Sequence, residues 1–288
     1  MTVVDAHHHL WDPDVGEYPW MTGDFAVLRR RYDLTDLLPL LRTSDVSATI
    51  VVQVRADLAE TVELLEMCTR TTAIVGVVGW VDLTGPDVAA QIDALRAGPG
   101  GQHLVGLRHG AADEPDPHWL LRDDVDTAMQ VVTDRGLSFD LEITTRELTA
   151  AQTLARRHPQ LRLVVDHGAK PPIAEGWRQD WADGISAMAQ HPNVWCKLSG
   201  LVTEASWSTW TPADLQPYVD HLIRAFSAQR LMFGSDWPVC ELAASYEQVL
   251  ATANRSLATL TDDEHRKIFS HNALSFYQPP DASPGEPR

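Results

Sequence analysis

The chain has little of what several protein classes require. Its three cysteines, Cys68, Cys196 and Cys240, are odd in number and far apart in 288 residues. They exclude a disulfide framework and a C-x-x-C thiolate zinc site, and they suit a reducing, cytoplasmic setting. No apolar run approaches the roughly 18 residues needed to cross a bilayer, and no basic-then-apolar leader opens the sequence. A soluble, unexported protein is expected. Basic residues are also few, 23 against 40 acidic, for a formal charge of −17. Such a surface repels phosphate backbones and anionic lipid, so neither nucleic acid nor membrane is an expected partner. Neither a G-x-G-x-x-G nor a P-loop follows the first strand-like run, which removes the common nucleotide cradles, and no internal repeat is present.

What is present is alternation. Eight short β-rich runs occur at 2–7, 48–54, 73–81, 103–109, 137–143, 161–167, 193–200 and 230–236. They are near-continuous apolar runs, the pattern of strands covered on both faces. Helical periodicity fills segments between them, for instance at 58–70, 125–136 and 145–158. Thr145 is expected in the N-cap region of the last of these, Gly136 and Pro159 stop two helices, and Pro212 with Asp214 opens another running to about Ala228. Eight runs with intervening helices predict an α/β fold, a single-domain (β/α)8 TIM barrel over residues 1–277. The tail QPPDASPGEPR at 278–288 has the composition of a disordered end. The stretch 11–34 is long and aromatic (Trp11, Tyr18, Trp20, Phe25, Tyr32) and is expected to act as a lid.

In such a barrel the reactive groups sit at the C-terminal ends of the strands. Run one ends in DAHHH, and the two-residue strand period places Asp5, His7 and His9 on one face and His8 on the other. A tag remnant would be longer and would not grow out of an apolar strand. The later runs end in Gln53 and Arg55, Trp80 and Asp82, Arg108 and His109, Asp140 and Glu142, Asp166 and His167, Lys197 and Ser199, and Ser235 and Asp236. His7, His9, His167 and Asp236 would meet at one mouth. Imidazoles with a carboxylate suit either a divalent ion or a water-activating carboxylate.

DAHHH at 5–9 continuing into HLW, GLRH at 106–109, DHGAKP at 166–171 and FGSDWP at 233–238 occur in that order. Together they resemble the amidohydrolase superfamily, and within it the lactonase-like branch of fuconolactonases, rhamnonolactonases and 2-pyrone-4,6-dicarboxylate lactonase, over roughly residues 3–277. The resemblance implies hydrolysis of a sugar-acid lactone such as an L-fucono- or L-rhamnono-lactone. Two-metal members of the superfamily carry a carbamylated lysine at the end of strand four and a histidine after strand five. Here those ends hold Arg108 with His109 and carboxylates, so one divalent ion, zinc first, or none is implied; the branch includes members that work without an ion.

Ester hydrolysis then assigns roles. Asp236 is the candidate base; with an ion, His7, His9 and Asp236 are its ligands and His167 a further ligand or a donor to the carbonyl. Without one, His7, His9 and His167, some protonated, polarise the carbonyl. Arg108 either pairs with Asp82 or Asp140 or grips substrate, and Lys170 and Lys197 face the same choice. Gln53, His109, Trp11, Trp80 and Trp237, with Asp82, are candidate pocket walls. Asp5 is expected beneath the histidines, orienting a ring N–H, and Asp166 as support for the turn after strand six. His103, His118, His158, His191, His221, His265 and His271 are expected to be solvated or capping. The rival functions are a metal-dependent decarboxylase of an unsaturated acid and a sugar-acid-binding barrel without chemistry. The small-molecule partner is a sugar lactone, and assembly of identical chains stays open.

Overall fold

A computed structural model describes residues 2–280. The eight apolar runs form strands β1 (Val3–His8), β2 (Val46–Val52), β3 (Ile74–Gly79), β4 (Leu104–Gly110), β5 (Ser138–Glu142), β6 (Arg162–Val165), β7 (Val194–Leu198) and β8 (Leu231–Phe233). They pair in parallel in sequence order from β1 to β8. The ring closes just past β8: the Asp236 N–H donates to the His7 carbonyl at 2.8 Å, and the His9 N–H to the Trp237 carbonyl at 2.7 Å. The seam of the barrel therefore runs through the residues expected to carry the chemistry.

Helices follow the strands: α1 (Leu34–Thr43), α2 (Leu58–Cys68), α3 (Val88–Ala97), α4 (Asp123–Asp134), α5 (Leu148–Arg157), α6 (Gln179–Met188), α7 (Pro212–Phe226) and α8 (Tyr246–Ser256). Two further helices end the described chain, α9 (Asp262–Arg266) and α10 (Asn272–Tyr277). Their starts follow from capping chemistry. Thr211 and Asp214 form a reciprocal capping box on α7, with Pro212 in the first turn. Ahead of α5 the cap is Thr144, not Thr145: Thr144 is extended and exchanges hydrogen bonds with Glu147, so Thr145 already lies inside the first turn.

Two apolar layers result. One lies between strands and helices. The other fills the lower barrel, where Val4, Ala6, Ile50, Val52, Val78, Val164 and Met232 pack against Phe276 and Tyr277 of α10. The last helix thus stoppers the barrel floor.

The segment 11–34 is pinned at its base by reciprocal backbone bonds between Trp11 and Tyr32, and its Phe25 meets Trp207 of the β7–α7 loop edge to face at 5.3 Å. Among the described residues no helix is long and apolar enough to cross a membrane, and all three cysteines are free and buried. The expected disordered tail lies, from residue 281 on, outside the described residues.

Candidate active site

One irregularity in β1 sets the site. Asp5 stands opposite Thr49, but His8 stands opposite Val51, so three residues of β1 advance against two of β2. This bulge changes which side chains face inward. Val4 and Ala6 belong to the barrel floor, whereas above the bulge His7 and His9 turn inward, their Nε2 atoms 3.1 Å apart. His8 faces outward, its Nε2 2.9 Å from the Thr49 hydroxyl. Asp5 does not share the face of His7 and His9, contrary to the simple alternation. It accepts from the Ser235 backbone (2.9 Å) and hydroxyl (2.6 Å), the Tyr246 hydroxyl (3.0 Å) and the His7 backbone N–H (3.1 Å). Asp5 therefore rivets the β1–β8 seam and orients no ring.

The other two expected residues sit in left-handed backbone. Asp236 has φ 58°, and His167, Gly168, Ala169 and Lys170 run consecutively at φ 53°, 57°, 61° and 46°. Left-handed geometry costs each non-glycine residue about 1–2 kcal/mol, so the DHGAKP turn persists only because its surroundings hold it. The Trp181 indole N–H of α6 donates to the Gly168 carbonyl at 2.8 Å, Ser199 meets His167 Nδ1 at 2.9 Å, and Lys170 Nζ meets Glu142 at 2.9 Å. Gly200 lies behind the site at φ 64°; a Cβ there would stand 2.5 Å from His167 Nδ1 and 3.1 Å from Asp236. Only glycine permits that approach.

The result is a cluster around Asp236 Oδ1. It lies 3.5 Å from His9 Nε2, 3.8 Å from His7 Nε2 and 3.9 Å from His167 Nε2. Burial pushes the Asp236 carboxyl above its ordinary range. Burial, with Lys197 nearby, drives His7 well below its usual value, and burial with Arg108 brings His9 to about 3. His167 is lowered by burial too. Burial thus favours the neutral form of each imidazole, as a hydrogen-bond donor or acceptor.

Their protons follow a consistent direction. The Lys197 ammonium lies 2.9 Å from His7 Nδ1, so the neutral His7 ring carries its proton on Nε2. His9 Nδ1 donates to the Val52 carbonyl at 2.8 Å, leaving its Nε2 free to accept from His7. Lys197 itself is wholly buried between Asp140 (2.6 Å) and Asp166 (2.9 Å). Asp166, which burial alone would raise, is held well below its ordinary value by Lys197 and His7, so it is a charged member of the site as well as part of the turn.

Arg108 is paired, but with neither Asp82 nor Asp140. Its fork meets Glu142 and Asp166, each at 3.4 Å, and both the carbonyl and the side-chain oxygen of Gln53. Lys170 pairs with Glu142. Trp80 donates to His109 Nδ1 at 3.1 Å, and His109 Nε2 meets Glu114 at 2.8 Å while the ring stacks on Trp119 at 4.0 Å. Trp11 and Trp237 are buried, with indole N–H groups committed to the Leu28 and Arg30 carbonyls and to Glu241. Asp82 caps the turn at Thr84. Of the histidines expected to be solvated, His103 and His158 are buried and bonded to the Val75 carbonyl and Asp126. Glu142, Ser199 and Glu204 join the site without having been singled out. Glu142 and Ser199 carried a signal as strand-end residues, but Glu204, raised by burial beside Lys170 and Asp236, stands in a loop without pattern.

His7, His9 and Asp236 each offer one ligand atom, all within 4.8 Å of one another, as do His7, Asp166 and His167. The first set fits one divalent ion in spacing and ligand chemistry. His7 could coordinate through Nε2 only with its proton moved to Nδ1, where Asp166 Oδ1 at 3.4 Å is the available acceptor.

Similarity to known proteins agrees with this geometry. An L-fucono-1,5-lactonase of Burkholderia ambifaria is 38% identical over 282 residues, spanning 96% of this chain and 95% of the relative. A second, from Burkholderia multivorans, is 37% identical, spanning 96% of each chain. A crystal structure of an amidohydrolase from Burkholderia multivorans with bound zinc superposes with a TM-score of 0.92 at 35% identity, covering 97% of this chain and all of that one. The amidohydrolase family model matches residues 4–278, and the chain belongs to the amidohydrolase family.

Proposed function

We propose that this chain hydrolyses the ester of L-fucono-1,5-lactone or a closely related aldonolactone, with Asp236 as general base. The observation that carries the reading is the buried Asp236 carboxylate, less than 4 Å from the Nε2 atoms of three neutral imidazoles. Water adds to the lactone carbonyl as Asp236 takes its proton. Negative charge collects on the carbonyl oxygen and is met by the His167 Nε2–H, when the Ser199 hydroxyl donates to its Nδ1, and by the His7 Nε2–H as it leaves His9 Nε2 for the substrate. As the tetrahedral intermediate collapses, the ring C–O bond breaks and Asp236 returns its proton to the departing oxygen. The product is the open hydroxy acid. A zinc ion held by His7, His9 and Asp236 would add Lewis-acid polarisation and lower the pKa of water.

Charge balance favours a neutral substrate. Lys197 faces Asp140 and Asp166, Arg108 faces Glu142 and Asp166, and Lys170 faces Glu142. No cation in this group is left uncompensated to receive a carboxylate, whereas Trp80, His109, Gln53 and the Glu142–Lys170 pair offer stacking and hydroxyl contacts. Three free, buried thiols support a cytoplasmic location.

The test is a panel of fucono, rhamnono, galactono and arabinono lactones, followed by a pH indicator. Asp236→Asn should lower kcat by at least about a thousandfold while the product aldonate still binds. Undiminished turnover removes Asp236 from the mechanism. Silence across the panel, with CO2 released from an unsaturated carboxylic acid, replaces hydrolysis by decarboxylation.

A further inference from the structure

The floor of the barrel is largely apolar, and one of its aromatic side chains carries a hydroxyl. Tyr277, the last residue of α10, is buried among Val4, Ala6, Ile50 and Phe276, where a phenylalanine would fill the same space. Its hydroxyl instead donates to Asp140 Oδ2 at 2.7 Å. The same oxygen accepts from Lys197 at 2.6 Å, and Lys197 continues to His7 Nδ1 at 2.9 Å. We propose that Tyr277 is a positioning residue for catalysis: its hydroxyl anchors Asp140 and thereby holds the Lys197 ammonium against His7, fixing the His7 proton on the nitrogen that faces Asp236.

Lys197 donates to Asp140 Oδ2 and His7 Nδ1 and forms an ion pair with Asp166 Oδ1 at 2.9 Å. Among the described residues Asp140 is bonded only by Tyr277 and Lys197, both on Oδ2, and its buried Oδ1 has no partner. With the Tyr277 hydroxyl gone, nothing prevents Asp140 from rotating Oδ1 into contact, and Lys197 moves with it toward Asp166. His7 then loses the donor that selects its tautomer. Tyr277 also lies beneath the ammonium, its ring centroid 5.6 Å from Lys197 Nζ, so hydroxyl and ring face the same cation. A buried tyrosine hydroxyl needs a partner; here the partner belongs to the column under His7.

Tyr277→Phe in the full chain tests this with two readouts, of which only turnover depends on the lactonase assignment. For L-fucono-1,5-lactone, kcat should fall about tenfold with KM within twofold. In 15N spectra of labelled histidine the His7 ring nitrogens should shift, while His8, bonded to Thr49 on the outer face, should not. Phe276→Leu, which removes floor packing but no polar link, should lower Tm with kcat within twofold. In an Asp140→Asn background, Tyr277→Phe should add nothing further. Unchanged His7 resonances, unchanged kcat, or losses that multiply in the double variant each overturn the proposal. If the wild type opens no lactone, the functional assignment fails and the His7 resonances alone decide the role of Tyr277.

Discussion

Replacing Trp181 by phenylalanine deletes one N–H and keeps the aromatic packing against Trp177, Tyr218 and His221. The N–H lost is the one bonded to the Gly168 carbonyl at 2.8 Å, in the middle of the left-handed turn that presents His167. His167, Ala169 and Lys170 together store about 3–6 kcal/mol of backbone strain, at about 1–2 kcal/mol per non-glycine residue. An unsatisfied buried carbonyl costs about 1–3 kcal/mol. The two figures are comparable, so removing the anchor should let the turn sample relaxed conformations. A loss near the lower end of that range, about 1.4 kcal/mol, corresponds to a tenfold fall in the competent population. The expected outcome is a kcat reduced about tenfold and a Tm lowered by about 2–8 °C. Trp177→Phe is the control, since Trp177 is exposed and its indole bonds Gln179, not the turn. Turnover kinetics with thermal unfolding decide the matter. A lowered Tm with unchanged kcat would show that Ser199 and Glu142 hold the turn unaided, and would refute the strain argument.

Three further outcomes are expected. His8→Ala should destabilise the fold by about 1–3 kcal/mol, having lost a buried bond to Thr49, yet keep kcat within about threefold, whereas His7→Ala and His9→Ala should each lose at least about a hundredfold. The pH profile of kcat/KM should have an acid limb above the ordinary carboxylate range: Asp236 acts only when ionised, burial raises its pKa, and activity is therefore lost as pH falls through that raised value. Because His7 and His9 are already neutral, a limb near 6.5 that disappears in His7→Gln would contradict this protonation scheme. Chelation should leave wild-type kcat within about threefold, and Lys197→Met, which frees His7 Nδ1 to carry the proton, should bind zinc at least about tenfold more tightly in competitive chelator titrations. Equal zinc affinity in both proteins would separate Lys197 from the His7 tautomer.

How much of the site could be read from sequence differs residue by residue. His7, His9, His167 and Asp236 were legible because each ends a strand, and barrel topology brings strand ends to one mouth. Arg108 reads in sequence either as a buried cation needing carboxylates or as a grip on substrate, and position alone does not select Glu142 and Asp166 from the several strand-end acids. Trp11 and Trp237 read as pocket walls in sequence, and the structure adds that their indole N–H groups are committed to the Leu28 carbonyl and Glu241.

The sequence by itself determined the eight strands, the helices between them and the ring of chemistry at their ends, because burial on both faces leaves a local signature in apolar runs. It also determined the excess of acidic charge and the absence of a disulfide framework. Only the tertiary structure decided that Asp5 leaves the face of His7 and His9, because a bulge obeys no sequence period. It alone decided the proton direction through Lys197, His7 and His9, and the contact of Tyr277 with Asp140, 137 residues away. Those contacts depend on side chains converging inside a closed barrel, which spacing along the chain does not encode.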